Sequence, residues 1–336
     1  STSLVSLGEQ DMANDQTLVD FVEWGMAVAP ALNYALVLSG HGRGFRGCSD
    51  DYTTKTNMSP SALRSALDAI PHVQVLVMNM CLMQMVEIAT EAIGEADFMV
   101  GSQDSPSALQ GLKYEGWLQW LADHPDATPE SLALQICQDV NKATLSVVDM
   151  TQVPLLNEKI RDFVQVALSS ATSSDWVHLR DAREGIWTPM EGADSYDLKQ
   201  YMEEVIAETA IAQAIRDKAE DVAAQVSQTV LEQEPPPRGT GEGLSVYLSY
   251  LGTGIDPRYN DLEFCTSTHW NAFVSQFPDP SWWALWDVDW GETVLDARMI
   301  DANNEQPATV ESAIENAADV DFFEIGGLAG QVLIAS

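Results

Sequence analysis

The sequence predicts an α/β fold organised on a mostly parallel sheet, and three observations carry the prediction. Short apolar runs end abruptly on polar or glycine residues, as in Tyr34-Ala-Leu-Val-Leu-Ser39 before Gly40 and Val73-Gln-Val-Leu-Val-Met78 before Asn79; such runs read as strands buried on both faces. Apolar residues at helical spacing lie between them. The chain has 336 residues, 46% of them hydrophobic, enough for a substantial core.

The first strand, Tyr34 to Ser39, breaks into Gly40-His41-Gly42-Arg-Gly44. Ser59-Pro60 then reads as an N-cap with a first-turn proline, and Leu63, Ala66, Leu67 and Ile70 follow on one helical face. The second strand starts at Val73 and breaks at Asn79-Met80-Cys81. A β-loop-α-β unit leaves its strands parallel, so His41 and Cys81 emerge at the same carboxyl edge. Open α/β sheets bind ligands at that edge. Leu82, Val86, Ala89 and Ile93 predict a helix opening at Cys81. Asp97 to Gly101 is another strand, and Ser102, Gln103 and Asp104 leave it on the same edge to line a substrate groove. Asp104 equally suits a turn before Ser105-Pro106.

Thr128-Pro129-Glu130 opens a helix, Leu145 to Val148 is a strand and Leu155 to Leu168 is a helix. Leu198 to Glu232 is helical with a solvated acidic face. Pro235-Pro-Pro237 stops that helix, and Leu244 to Tyr250 alternates as a strand.

His41 and Cys81 make a base and a nucleophile. A helix N-terminus favours the thiolate and a neighbouring imidazole assists deprotonation. Glycines beside His41 permit close backbone approach, so the amides of Gly42 and Cys81 are the natural pair to face an oxyanion. Spacing alone equally fits a small buried cysteine and a loop histidine.

Composition removes several function classes. The formal net charge of −35, from 51 acidic and 16 basic residues, excludes general phosphate-backbone binding, so nucleic acid is not a partner, and it disfavours anionic membranes. No stretch reaches the ~18 apolar residues of a membrane span. Cys48, Cys81, Cys137 and Cys265 show no metal-type spacing and no C-x-x-C, so neither a zinc site nor a disulfide framework is expected, although a single Cys48 to Cys265 bridge stays open. Gly42-Arg-Gly44-Phe-Arg-Gly47 matches a dinucleotide loop in letters only, because the polar, aperiodic Cys48 to Lys55 follows it where a Rossmann loop opens into a helix. Its glycines read as a flexible loop.

Gly8-Glu9-Gln-Asp-Met12, Thr17 to Trp24 and Tyr34 to Gly42 resemble the segment leading to the catalytic histidine of clostripain-like cysteine peptidases, in the clan of caspases and gingipains. Cys81-Leu82-Met83 and Glu87-Ile-Ala89 resemble the stretch around their nucleophile; Gly101-Ser102, Gly111 to Tyr114, Gly243 to Tyr247 and Trp270 to Phe273 follow in the same order. The resemblance runs from Gly8 to Phe277. It implies a caspase-like three-layer αβα fold and a cysteine endopeptidase acting on proteins or peptides through a His41/Cys81 dyad. It implies no cofactor for the chemistry and allows Ca2+ without naming ligands. The alternative is a catalytically inactive caspase-like binding module.

Where the family usually carries an acid two residues before the nucleophile, this sequence has Asn79, which offers hydrogen bonds but no charge to a basic side chain. Asn79 would shape the pocket with Ser102, Gln103 and Asp104, the last partly replacing the missing acid. Relatives are often activated by cleavage between the histidine and the cysteine. In the polar stretch Arg43 to Met58, Lys55-Thr56 is the candidate bond.

The chain divides into a peptidase domain over 1–277, a Trp-rich extension over 278–309 and a third segment over 310–336. The resemblance places further strands and helices before Ser1. In the third segment, Asp319 to Ile325 and Gly327 to Ile334 resemble the opening strands of the β-sandwich appended to many secreted proteases, the pre-peptidase C-terminal type, continuing past Ser336. That resemblance implies a secreted, periplasmic or cell-surface address.

Overall fold

Burial on both faces of the central strands builds three layers. The computed structural model describes residues 7–104, 112, 114–138, 145–186, 194–233, 241–249 and 255–277, and the backbone of 297–301, 307–310 and 331–335. Pro235 to Gly239, the tryptophans from 282 to 290 and the motif from Asp319 to Gly330 lie outside the described residues.

In chain order the strands of the first unit are β1 (Ala35–Ser39), β2 (Cys48–Asp51), β3 (Thr56–Met58), β4 (Val73–Asn79), β5 (Ala96–Ser102), β6 (Leu145–Asp149), β7 (Ser195–Asp197), β8 (Val230–Gln233) and β9 (Ser245–Tyr247). The helices are α1 (Asp15–Val28), α2 (Pro60–Ala69), α3 (Val86–Glu91), α4 (Tyr114–Asp123), α5 (Pro129–Gln138), α6 (Val153–Ser170), α7 (Ser173–Asp181), α8 (Leu198–Ala207), α9 (Gln213–Thr229), α10 (Glu263–Thr268) and α11 (Trp270–Val274). The main sheet has the order β1-β4-β5-β6-β8. β1, β4 and β5 are parallel, whereas β6 is antiparallel to β5 and β8 to β6.

Successive side chains point to opposite faces of a strand, so β4 sends Val75 and Val77 one way and Leu76 and Met78 the other, all buried. On the first face Val75, Val77, Val100 and Val147 pack with Trp117 of α4 and Leu132 and Ile136 of α5. On the second, Leu36, Leu76, Met78 and Met99 join a larger core with Val22 of α1, Leu67 of α2, Ile88 of α3 and Phe163 of α6. The result is the three-layer αβα arrangement that the strand pattern implies. α2 begins as its sequence requires, with Ser59 Oγ accepting the Ala62 N–H at 3.1 Å ahead of Pro60.

Two expected elements take a different form. Leu198 to Glu232 is not one helix: α8 and α9 are separate, and the chain then extends as β8 to pair with β6. The β6 edge gives that tail backbone partners that a longer helix would forgo. Of Leu244 to Ser249 only β9 is a strand, pairing antiparallel with β7 in a two-stranded ribbon outside the main sheet, and Tyr250 lies outside the described residues.

The chain divides into two units, Ser1–Asp279 and Pro280–Ser336. In the second, β10 (Ala297–Asp301) lies between β11 (Pro307–Val310) and β12 (Gln331–Ala335), antiparallel to both. Cys48 and Cys265 are not bridged. Among the described residues, no helix is long and apolar enough to cross a membrane.

Fully buried Trp270 closes the larger core, its indole N–H donating to the Tyr247 carbonyl at 2.8 Å and its ring 4.8 Å from Phe273. Trp270→Ala should lower stability by about 3–5 kcal/mol, from lost burial and an unpaired carbonyl. Urea unfolding measures this; a loss under about 1 kcal/mol would mean that the aromatic cluster contributes little.

Candidate active site

β1 and β4 pair with Ser39 opposite Asn79, and His41 and Cys81 each follow two residues later. Their backbones then run against each other. A Cβ on Gly42 would collide with the Cys81 carbonyl and lie 2.9 Å from Met80 Cβ; one on Gly44, at φ 59°, would lie 2.5 Å from Met85 Sδ. Only glycine allows this approach. The loop carrying exposed His41 is therefore seated directly on the turn carrying half-buried Cys81. Cys48, Cys137 and Cys265 are buried, and burial pushes Cys48 up to about 11 and Cys265 up to about 12. Cys81 alone among the four is not buried.

The stretch after His41 is a braced structure, where composition suggested a flexible loop. The Ser49 N–H donates to the His41 carbonyl at 2.9 Å, and Gly44–Arg46 form a 3-10 turn. Phe45 is buried against the rings of Tyr247 and Tyr259, at centroid distances of 4.7 and 5.0 Å. Arg46 pairs with Asp194 at 3.1 Å and Asp256 at 3.3 Å. β2 and β3 form a hairpin whose turn is held by Asp51, the acceptor for the N–H groups of Thr53, Thr54 and Met12. These bonds, the Thr54 N–H first, keep the Asp51 carboxyl below its ordinary range. Exposed Lys55 sits in that turn at φ 60°, just before Thr56 opens β3.

Two residues near His41 carried no sequence signal. The ring of exposed Tyr52 stands edge-on to the imidazole at 6.3 Å. Asp50 is held below the ordinary carboxylate range, first by its hydrogen bond from Arg43 (2.6 Å) and in smaller part by His41.

Cys81 does not open a helix, contrary to the apolar periodicity. α3 starts five residues later, at Val86. Leu82 takes a left-handed backbone, φ 63°, that no right-handed helix continues. The Leu82 and Gln84 N–H groups instead donate to the carbonyls of Asp104 (3.1 Å) and Ser102 (3.0 Å). The turn is thus hydrogen-bonded to the end of β5, and no helix dipole begins at the thiol.

Asn79 is engaged on both sides of its amide. Its Nδ2 donates to Ser39 Oγ at 3.2 Å and to the Tyr114 hydroxyl at 2.9 Å, while Oδ1 accepts the Leu112 N–H at 3.4 Å. Ser102 is buried and its Oγ accepts the Asp104 N–H at 3.2 Å. Gln103 points into the protein: Nε2 donates to Asp197 Oδ2 and Ser245 Oγ, both at 2.9 Å, and Oε1 accepts the Gly243 N–H. Asp104 is partly buried, its carbonyl holding Leu82.

Two buried carboxyls frame this edge. Burial pushes Asp197 up to about 6, against bonds from the Gln200 N–H, Gln103 and the Glu242 N–H. Burial likewise raises Glu87 of α3 to about 7; Oε1 accepts from the Tyr247 N–H and the Tyr259 hydroxyl, both at 2.7 Å, while Oε2 is buried without a partner. Among the described residues no group of three or more His, Cys, Asp or Glu is placed to hold a metal.

The Clostripain family, Peptidase_C11, matches the chain over residues 4–247. Among solved structures it is similar to a secreted C11 cysteine protease from Bacteroides thetaiotaomicron in complex with an irreversible peptide inhibitor, at 18% identity and TM-score 0.59, covering 78% of this chain and 80% of that one. It is also similar to an inactive zymogen C11 protease from Parabacteroides distasonis, at 20% identity and TM-score 0.59, covering 79% of each. At these identities the likeness is one of fold. No curated protein matches the chain.

The Glu87 carboxyl gives a stability prediction with a definite sign. Its folded value of about 7 lies above the ordinary 4.5, so the folded state binds the extra proton. Stability is full below the ordinary value and falls as pH rises through the folded one, by up to about 3 kcal/mol. Gln cannot ionise and keeps an acceptor for Tyr247 and Tyr259. The Tm of Glu87→Gln minus that of the wild type should therefore grow between about pH 5 and pH 8. Equal differences at the two pH values would show that Glu87 does not titrate in this window.

Proposed function

The chain belongs to the clostripain family and is a cysteine-type peptidase, and from this premise we propose an endopeptidase in which Cys81 is the nucleophile and His41 its proton-transfer partner. The observation that carries the reading is the seating of the Gly42 backbone on the Cys81 carbonyl, with Cys81 the one thiol that is not buried.

In this mechanism Cys81 Sγ gives its proton to His41 and attacks the scissile carbonyl carbon, and the Gly42 and Cys81 N–H groups face the oxygen that becomes negative. As the tetrahedral intermediate collapses, the carbon–nitrogen bond breaks and the amine leaves with the proton from His41. Water, deprotonated by His41, then cleaves the thioester and frees Cys81. Without a helix beginning at the thiol, activation rests on the imidazole.

Primary specificity belongs to the pocket beside Asn79. Its neutral carboxamide, already bonded to Ser39 and Tyr114, offers no charge to Arg or Lys, so cleavage after them is weaker than with an acid at this position. Asp104 is the nearby acid that would restore basic preference.

Processing at Lys55-Thr56 is part of the proposal. It is supported by the exposure of Lys55 in a hairpin turn whose Tyr52 reaches the His41 ring, and by the zymogen among the similar structures. A secreted or cell-surface address is supported by a secreted neighbour and the acidic surplus. Ca2+ binding remains a proposal from family resemblance alone.

Cys81→Ala should abolish casein cleavage with Tm unchanged, because it deletes the nucleophile and little volume. N-terminal sequencing should find a terminus at Thr56 in the wild type and not in this variant. Full activity in purified Cys81→Ala would end the assignment, and a fully active uncut wild type would end the processing step.

Asn79→Asp should raise selectivity for Arg and Lys before the scissile bond by about 1.5–3 kcal/mol, the value of a charge-assisted hydrogen bond. The change is tolerable because the Ser39 and Tyr114 hydroxyls can turn to donate. A peptide library reads it; strong wild-type preference for Arg would instead assign the pocket charge to another acid.

A further inference from the structure

Glu87 is a fully buried acid outside the reacting pair, and its two bonds lead to the loop that bears the base. It lies six residues after Cys81, in the first turn of α3. Its Oε1 takes the backbone N–H of Tyr247 from β9 and the hydroxyl of Tyr259, each at 2.7 Å. The two rings lie 4.4 Å apart and both contact Phe45, four residues after His41. One carboxyl thus ties the helix after the nucleophile to the aromatic wall on which the histidine loop is seated.

We propose that Glu87 is a positioning residue, which through Tyr247, Tyr259 and Phe45 holds the imidazole of His41 in register with the Cys81 thiol. The inference rests on the assignment of those two residues as the reacting pair. A merely structural apolar residue would fill the same space without the cost of burying an acid with an unpartnered Oε2. The acid supplies what an apolar side chain lacks, an acceptor that fixes where Tyr259 and the Tyr247 peptide stand.

Around Glu87 the ionisable groups are Tyr247, Tyr259 and Cys265, the last from α10 with its thiol on the Tyr259 carbonyl at 3.0 Å. Glu91, one turn along α3, accepts the Glu263 N–H, and Arg64 of α2 lies between Glu91 and Glu263. On the far side of the rings Arg46 pairs with Asp194 and Asp256. These neighbours complete the link between α3 and the loop.

The test compares wild type with Tyr259→Phe, Glu87→Ala and Glu87→Gln. It reads kcat and KM on labelled casein, Tm, and the pH profile of Cys81 alkylation by iodoacetamide, mapped by mass spectrometry. Tyr259→Phe deletes one hydroxyl and keeps the packed ring, so it answers even where Glu87→Ala fails to fold. We expect Tyr259→Phe to lower kcat about threefold to tenfold with KM within about twofold, because small displacements of a reacting group are costly. The alkylation profile should move along the pH axis in the same variant. Glu87→Gln, which keeps the acceptor, should restore both towards wild type. Unchanged kcat and alkylation profile in folded Tyr259→Phe would overturn the proposal, as would a kcat loss matched by lost folded protein with the profile unmoved. Failure of the dyad itself would read differently, as cleavage surviving in Cys81→Ala, and would overturn both.

Discussion

The parallel pairing of β1 with β4, Ser39 opposite Asn79, is the constraint on which the site depends. His41 and Cys81 each lie two residues past that pair. A slip of one residue would turn the core side chains of one strand to the wrong face, so the buried set Leu36, Leu76 and Met78 fixes the register. Core packing therefore sets the distance over which the proposed base and nucleophile meet. Glycine completes the arrangement, since a side chain at residue 42 would push the two loops apart.

Beyond the strand ends, the site is held by buried polar groups. Gln103, Asp197 and Ser245 form one cluster under the Ser102 to Asp104 segment, whose carbonyls receive the Leu82 and Gln84 N–H groups. Glu87, Tyr247 and Tyr259 form another under Phe45. Buried acids are costly, and directional bonds can fix a single geometry where apolar packing alone would tolerate several. One cluster supports the Cys81 turn and the other joins that side to the His41 loop.

What was legible in the sequence is what local pattern controls. The strands ending near His41 and Cys81 announce themselves as apolar runs, and Ser59-Pro60 caps α2 as expected. The helix expected at Cys81 misleads because Leu82, Val86 and Ala89 keep helical spacing while distant carbonyls at 102 and 104 take the Leu82 and Gln84 N–H groups. β8 is hidden for a similar reason: Val230 to Gln233 continue an acidic helix on paper and find a strand partner only in the fold. The bonds of Glu87 to Tyr247 and Tyr259 span 160 and 172 residues, beyond any local period.

On the proposed assignment, the placement of Asn79 separates chemistry from selectivity. Its carboxamide spends its bonds on Ser39, Tyr114 and the Leu112 N–H. The histidine loop, in contrast, is secured by Phe45 and Arg46 against Tyr247, Tyr259, Asp194 and Asp256. These two sets share no residue. A change of charge at residue 79 would therefore act on what enters the pocket while leaving the anchors of His41 in place, and interactions without shared partners tend to add independently. The same scaffold can then carry a neutral or an acidic side chain at residue 79, with the proposed reacting pair held by the strand register and the buried clusters.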